Sequence, residues 1–348
     1  MSSIRFFKYL LVYTGPIAGL VSFMGHGISA WVLPLYVFGL IPLLEYFIPP
    51  DASNLNENEE QQLKQMPLFD FLLYLIVPIH YFLFFFFLWT VGNGEWTGFE
   101  LAGKTLSMGI LCGAIGINVA HELGHRIKKH ETWMAKALLL TSLYMHFFIE
   151  HNRGHHKNVS TEEDPSSARK GESLYAFWIR SVWFSYLSAW ALENHRLKKK
   201  GVSIFSLQNE MLVFQLLQIS LISFVFVFFG WLAGTLFILS AIIGFLLLET
   251  VNYIEHYGLR RKILANGISE RVSPSHSWNS DHVLGRIMLF ELSRHSDHHY
   301  HAGRKYQVLR HFENSPQMPT GYPGMMLLSL LPPLWFRVMD KRIENQEG

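Results

Sequence analysis

The chain has 348 residues, of which 50% are hydrophobic, 15% aromatic and only 16% charged. A net charge of +2 is too small to suggest nucleic acid as a partner. A lone cysteine, Cys112, excludes an internal disulfide and any iron–sulfur cluster of the chain's own, so electrons for a redox centre here must come from another protein.

The apolar residues are bunched. A bilayer core about 30 Å thick needs about 20 apolar residues per helix, and the runs are near that length. After Arg5 and Lys8, the first covers residues 9–28. With Ser29-Ala30 behind it, this run also resembles a cleavable signal, but its length and the second run at 30–47 favour a retained helix. Pro49-Pro50-Asp51 stops the second, and 51–66 is a polar, acidic linker. A third span covers 69–91 and contains the run Phe84 to Phe87, better suited to lipid than to water. His26 and His80 lie within spans and read as rings bonded to a neighbouring carbonyl, since neither has a second histidine at helical spacing.

The loop 92–100 has no Lys or Arg. A fourth span, 101–120, carries Lys104 in its first turn, where a long side chain can snorkel to the interface. The basic region 121–209 follows, and within it 133–148 reads as a helix packed on or dipping into the bilayer. Spans 211–230 and 231–251 have almost no loop between them, and 252–348 is polar, with a weakly apolar stretch at 325–335. Six spans place both ends of the chain on one side, and the Lys and Arg bias makes that side cytoplasmic. The expected fold is therefore all-α: residues 1–348 form a single membrane-embedded domain of six transmembrane helices, with a cytoplasmic cap from 121–209 and 252–348.

Histidines crowd that cytoplasmic side. His121 and His125 are at i, i+4, as are His151 and His155, and His295, His298 and His299 are at i, i+3, i+4, so each set shares a helix face. His156 would point about 100° from His155 on a regular helix. Either Gly154 lets the backbone deviate or His156 serves a second metal. His256 stands alone at the end of span six. Two crossings separate it from His121, so all these groups emerge on one face. His130 and His301 fall off the shared faces. Nine imidazoles exceed the needs of one ion, whereas two metals with four or five nitrogens each use them all. Imidazole suits iron, zinc and copper alike. Glu122, Glu150, Glu255 and Asp297 each stand beside a ligand candidate and read as carboxylates that orient the rings. His121-Glu122-Leu123-Gly124-His125 is also a zincin HExxH motif, with Glu122 as general base, but a protease leaves the other clusters unexplained. A metal transporter would carry its histidines along the spans, not beyond their ends.

Four blocks carry a resemblance: His121-Glu122-Leu123-Gly124-His125-Arg126; Glu150-His151-Asn152-Arg153-Gly154-His155-His156; Asn252-Tyr253-Ile254-Glu255-His256-Tyr257-Gly258; and Leu292-Ser293-Arg294-His295-Ser296-Asp297-His298-His299. Together they resemble the histidine motifs of the membrane alkane monooxygenases, the AlkB family, within the membrane desaturase and hydroxylase superfamily. The segments Thr161–Arg169 and His276–Ser280 are similar too. The resemblance covers most of the chain and implies two iron ions held by His121, His125, His151, His155, His156, His256, His295, His298 and His299. It implies hydroxylation of the terminal carbon of an n-alkane, with O2 and electrons from rubredoxin, supplied by rubredoxin reductase. The location implied is the inner (plasma) membrane, with the site toward the cytoplasm. A related desaturase, or a hydroxylase of fatty acyl chains or aromatic methyl groups, is the alternative. Ser293 departs from the usual Gln of the last block. Arg126, Lys128, Lys129 and Lys198–Lys200 are candidates for docking an acidic rubredoxin, and Trp31, Tyr36 and Phe38 for limiting a substrate channel.

Overall fold

A computed structural model describes residues 2–347, and among them the regular structure is helical, with only two isolated β-bridges. The chain runs through α1 (Arg5–Met24), α2 (Gly27–Phe47), a short α3 (Glu57–Gln65), α4 (Pro67–Asn93) and α5 (Gly98–Gly124). It continues through α6 (Lys129–Thr141), α7 (147–158), α8 (Leu174–Lys199) and α9 (Glu210–His256). The short α10 (Val283–Met288), α11 (His295–Tyr300), α12 (Tyr322–Ser329) and α13 (Pro332–Glu347) complete it. Five of these helices (α1, α2, α4, α5 and α9) are long and apolar enough to cross a membrane. Ile17, Phe71, Phe82, Phe228 and Trp231 are exposed on them, an apolar surface suited to lipid and poorly suited to water.

The fifth helix, 47 residues long, is broken at Gly230, whose φ of 83° and ψ of 177° lie in a region open essentially to glycine alone. Phe224, before the break, packs against Phe85, and Phe237, after it, packs against neighbouring Phe84. The two halves of α9 thus lie side by side along α4. The second half approaches α5 so closely that a Cβ on Gly113 would sit 2.6 Å from the Gly244 carbonyl oxygen, a backbone contact typical of small residues in membrane bundles. Glu249 accepts the Tyr144 hydroxyl at 2.8 Å and that of Ser181, tying α9 to α8 and to the turn before α7.

Three expectations change in detail. Within the phenylalanine run, Phe84 and Phe87 are buried in the core while Phe85 is exposed, because successive helical residues rotate by about 100°. Lys104 does not reach for the surface. It is buried, and its Nζ donates to the carbonyls of Ser22 (3.2 Å), Phe23 (2.7 Å) and Gly25 (2.7 Å), over the Trp96 ring. Those carbonyls end α1, lack helical donors and carry the negative pole of its dipole. His80 meets the Thr141 hydroxyl (2.8 Å) and His26 the Glu100 carboxylate (3.3 Å), so neither takes a backbone carbonyl. Helix α6 buries Ala135, Leu138 and Leu139 against the bundle and exposes Trp133.

Candidate metal centre

Four segments deliver the histidines. The last turn of α5 carries His121, with His125 one turn on as its C-terminal cap. In α7, residues His151–His155 form a π-helical turn, wider than the regular helix and common at functional sites. His256 is the last residue of α9, and His295, His298 and His299 lie on α11. Buried polar contacts fix α11: Asp297 accepts Arg304 (2.9 Å) and the Arg310 backbone N–H (2.8 Å), and Arg294 donates to the Leu309 carbonyl (2.8 Å).

The nine rings form two groups. His121, His125, His151, His156 and His298 make one, and His155, His256, His295 and His299 the other; within each, one nitrogen per ring lies within 4.8 Å of all the rest. In the five-ring group the Nε2 atoms of His121 and His298 are 2.8 Å apart, those of His151 and His156 3.0 Å, and those of His156 and His298 3.1 Å. In the four-ring group, His155–His299 and His256–His295 are both 3.2 Å apart. Hydrogen bonds cannot satisfy such a cluster, because each neutral ring nitrogen is a donor or an acceptor but not both. A shared cation can: nitrogens about 2.1 Å from one metal, at right angles, lie about 3 Å apart. The donor set therefore fits two metal ions. Adjacent His155 and His156 fall in different groups, which resolves how two neighbouring rings are both used.

Burial first, and repulsion between rings second, push His151, His156, His295, His298 and His299 well below the ordinary 6.5. Burial, with His155 and Arg126 nearby, lowers His125 to about 3. These rings are neutral at neutral pH, with lone pairs free for a metal.

An apolar cavity of about 90 Å³ reaches the five-ring group at His121. Its wall includes Val37 and Phe38 of α2, Ala114 and Ile115 of α5, Leu248 of α9 and Met288 of α10, and His121 and Asn118 line it too. A second π-helical turn, Leu111–Ile117, forms part of that wall.

The family model for fatty acid desaturases matches residues 95–329, which hold all nine rings. The chain is 43% identical to alkane 1-monooxygenase 1 of Alcanivorax borkumensis, over 94% of this chain and 81% of that protein. It is 42% identical to alkane 1-monooxygenase 2 of Pseudomonas aeruginosa (90% and 84%) and 40% identical to alkane 1-monooxygenase of Pseudomonas putida (92% and 80%). The chain belongs to the alkane 1-monooxygenase family.

For this alkane monooxygenase family member, the acids depart from the sequence reading. Of the four expected to orient rings, only Glu255 touches one: its Oε2 lies 3.1 Å from His295 Nε2, while Oε1 accepts the Tyr322 hydroxyl at 2.7 Å. Glu122 instead pairs with Arg126 and accepts the Tyr306 N–H, Glu150 meets Ser188 at 3.5 Å, and Asp297 holds Arg304. Residues adjacent on a helix are rotated by about 100°, so each acid leaves on a different face from the ring beside it. The carboxylate that does hold a ring is Asp164, whose Oδ2 lies 2.9 Å from His155 Nδ1. It is steadied by the Ser166 N–H (3.1 Å) and the Ser167 hydroxyl (2.5 Å). Sequence spacing could not reveal it, because Asp164 acts from a loop; its only signal was its place in the family-like stretch Thr161–Arg169. Ser293 is buried, and its hydroxyl donates to the Ser280 carbonyl (2.9 Å), away from the cavity wall. His130 and His301 are exposed and outside both groups.

Proposed function

We propose that the protein is an alkane 1-monooxygenase that converts n-alkanes to 1-alkanols with O2 at a pair of irons held by the nine histidines. The observation that carries this reading is the apolar cavity between the membrane helices whose lining includes a metal-ready ring, His121. The overall change is R–CH3 + O2 + 2 e⁻ + 2 H⁺ → R–CH2OH + H2O. The irons, when bound, supply the oxidising power to insert one oxygen atom into an unactivated C–H bond. The chain supplies the rest: an apolar wall of Val37, Phe38, Ala114, Ile115 and Met288 that lets the alkane pass from the bilayer without meeting water and brings it toward His121. Phe38 alone among the aromatic channel candidates lies on that wall. Trp31 instead donates to the Phe99 carbonyl (3.1 Å), and the Tyr36 hydroxyl lies 2.7 Å from that of Thr14.

In this reading the chain is one unit with six crossings, the two halves of α9 counting separately about Gly230, and it lies in the inner membrane with the metals on the cytoplasmic side. Rubredoxin, reduced by its reductase, brings the electrons. Lys128, Lys129 and Lys198–Lys200 are exposed for such an acidic partner, whereas Arg126 is held by Glu122 and Asp70 and is withdrawn from that role. The deciding experiment is gas chromatography of products from cells that express the chain with a rubredoxin and its reductase, fed short, medium and long n-alkanes. 1-Alkanols are expected; an alkene or an ω-hydroxy acid as main product would displace the assignment in favour of a related desaturase or acyl hydroxylase.

A further inference from the structure

We propose that the two metal positions are unequal, and that the four-histidine position binds iron first. This rests on the two-iron reading above and deepens it. Both carboxylates that touch any of the nine rings serve the same group. Asp164 holds His155 from behind, at Nδ1, and Glu255 stands beside the metal-facing Nε2 of His295. Each acid is buried and is itself held in place, Asp164 by Ser166 and Ser167 and Glu255 by Tyr322. Among the described residues no carboxylate reaches a ring of the five-histidine group. The three acids next to its rings in sequence are turned elsewhere, Glu122 to Arg126, Glu150 to Ser188 and Asp297 to Arg304, and the Arg126 charge lies beside His125.

A divalent ion among neutral imidazoles keeps its double positive charge. Where the rings are buried, that charge is costly unless an anion is in contact; all four rings of the four-histidine group are buried, whereas His125 and His156 of the other group are half-buried. Two carboxylates offset it at the four-histidine position, and Asp164 also strengthens His155 as a donor by drawing on its N–H. At the five-histidine position a fifth neutral ring adds a bond but removes no charge. Anions weigh more than ring count where water is excluded, so the four-ring position has the higher affinity.

The test uses the full chain, purified metal-free in detergent and titrated without oxygen with ferrous iron enriched in the Mössbauer isotope. One quadrupole doublet is expected to grow through the first equivalent, and a second only afterwards. Asp164→Asn and Glu255→Gln should each weaken the first-filled position by roughly 10–100-fold and alter its doublet. His125→Ala should remove only the later one. If Asp164→Asn fails to fold, Glu255→Gln carries the test, since its amide oxygen can still accept from Tyr322. Two doublets growing together from the start, or loss of the first doublet in His125→Ala, overturns the proposal while leaving two irons in place. Binding of a single iron by the unaltered chain overturns the two-iron reading itself.

Discussion

A single imidazole in this protein does work that depends on its neighbours. His125 and His151 are poor bases because burial and adjacent rings resist a proton, and that same resistance keeps them ready for a metal. The sign of the pH dependence follows. With folded pKa values below 6.5, the unfolded chain takes up more protons as the medium acidifies. The stability these rings contribute is complete above 6.5 and is lost as pH falls below it, toward about 3 for His125. Iron competes with the same protons. Iron content and melting temperature should therefore both fall between about pH 7.5 and about pH 5; an unchanged melting temperature across that window would contradict the neutral-ring assignment. His125→Ala should cut iron from about two to about one per chain and lower 1-alkanol formation at least about 100-fold, read by metal analysis and product chromatography.

At the scale of helices, two glycines carry distinct burdens. Gly230 turns the chain between the halves of α9 with dihedrals that a side chain resists, so Gly230→Ala should cost about 1–3 kcal/mol. The break is far along α9 from His256, so iron stoichiometry should persist while the melting temperature drops. Gly113 lets α5 meet the second half of α9 backbone to backbone. Gly113→Leu should force these helices apart, and because the last turn of α5 carries His121 and α9 ends in His256, it should reduce iron content as well as stability. Loss of stability with full iron loading would show that the two helix ends are held independently of this contact.

The whole molecule joins an apolar interior to a polar, metal-ready cap. If alkanes reach the irons through the cavity, filling it should shorten the substrates accepted. Ala114→Phe is expected to retain 1-alkanol formation from short alkanes and lose it from long ones, measured as a product profile across chain lengths; an unaltered profile would place the substrate path elsewhere. Orientation is open to a separate test. The native Cys112 is buried and silent to reagents, so Lys199→Cys, at an exposed position, reports alone. A membrane-impermeant maleimide should label it only from the cytoplasmic side.

Much of this was written in the chain's pattern. Apolar runs of bilayer length pointed to helices long enough to cross a membrane, and histidines at i, i+3 and i+4 showed which rings share a face, because both follow from helix geometry alone. How nine rings divide five and four between two positions depends on where α5, α7, α9 and α11 end relative to one another, and no spacing along the chain encodes that. The same holds for the acids. Glu122 and Asp297 looked like partners of the rings because they sit beside them in sequence, yet helical rotation turns them toward Arg126 and Arg304. Asp164, remote in sequence from most of the centre, reaches His155 only because a loop folds back over α7. Local chemistry fixed the kinds of groups present; packing between distant segments decided which of them meet.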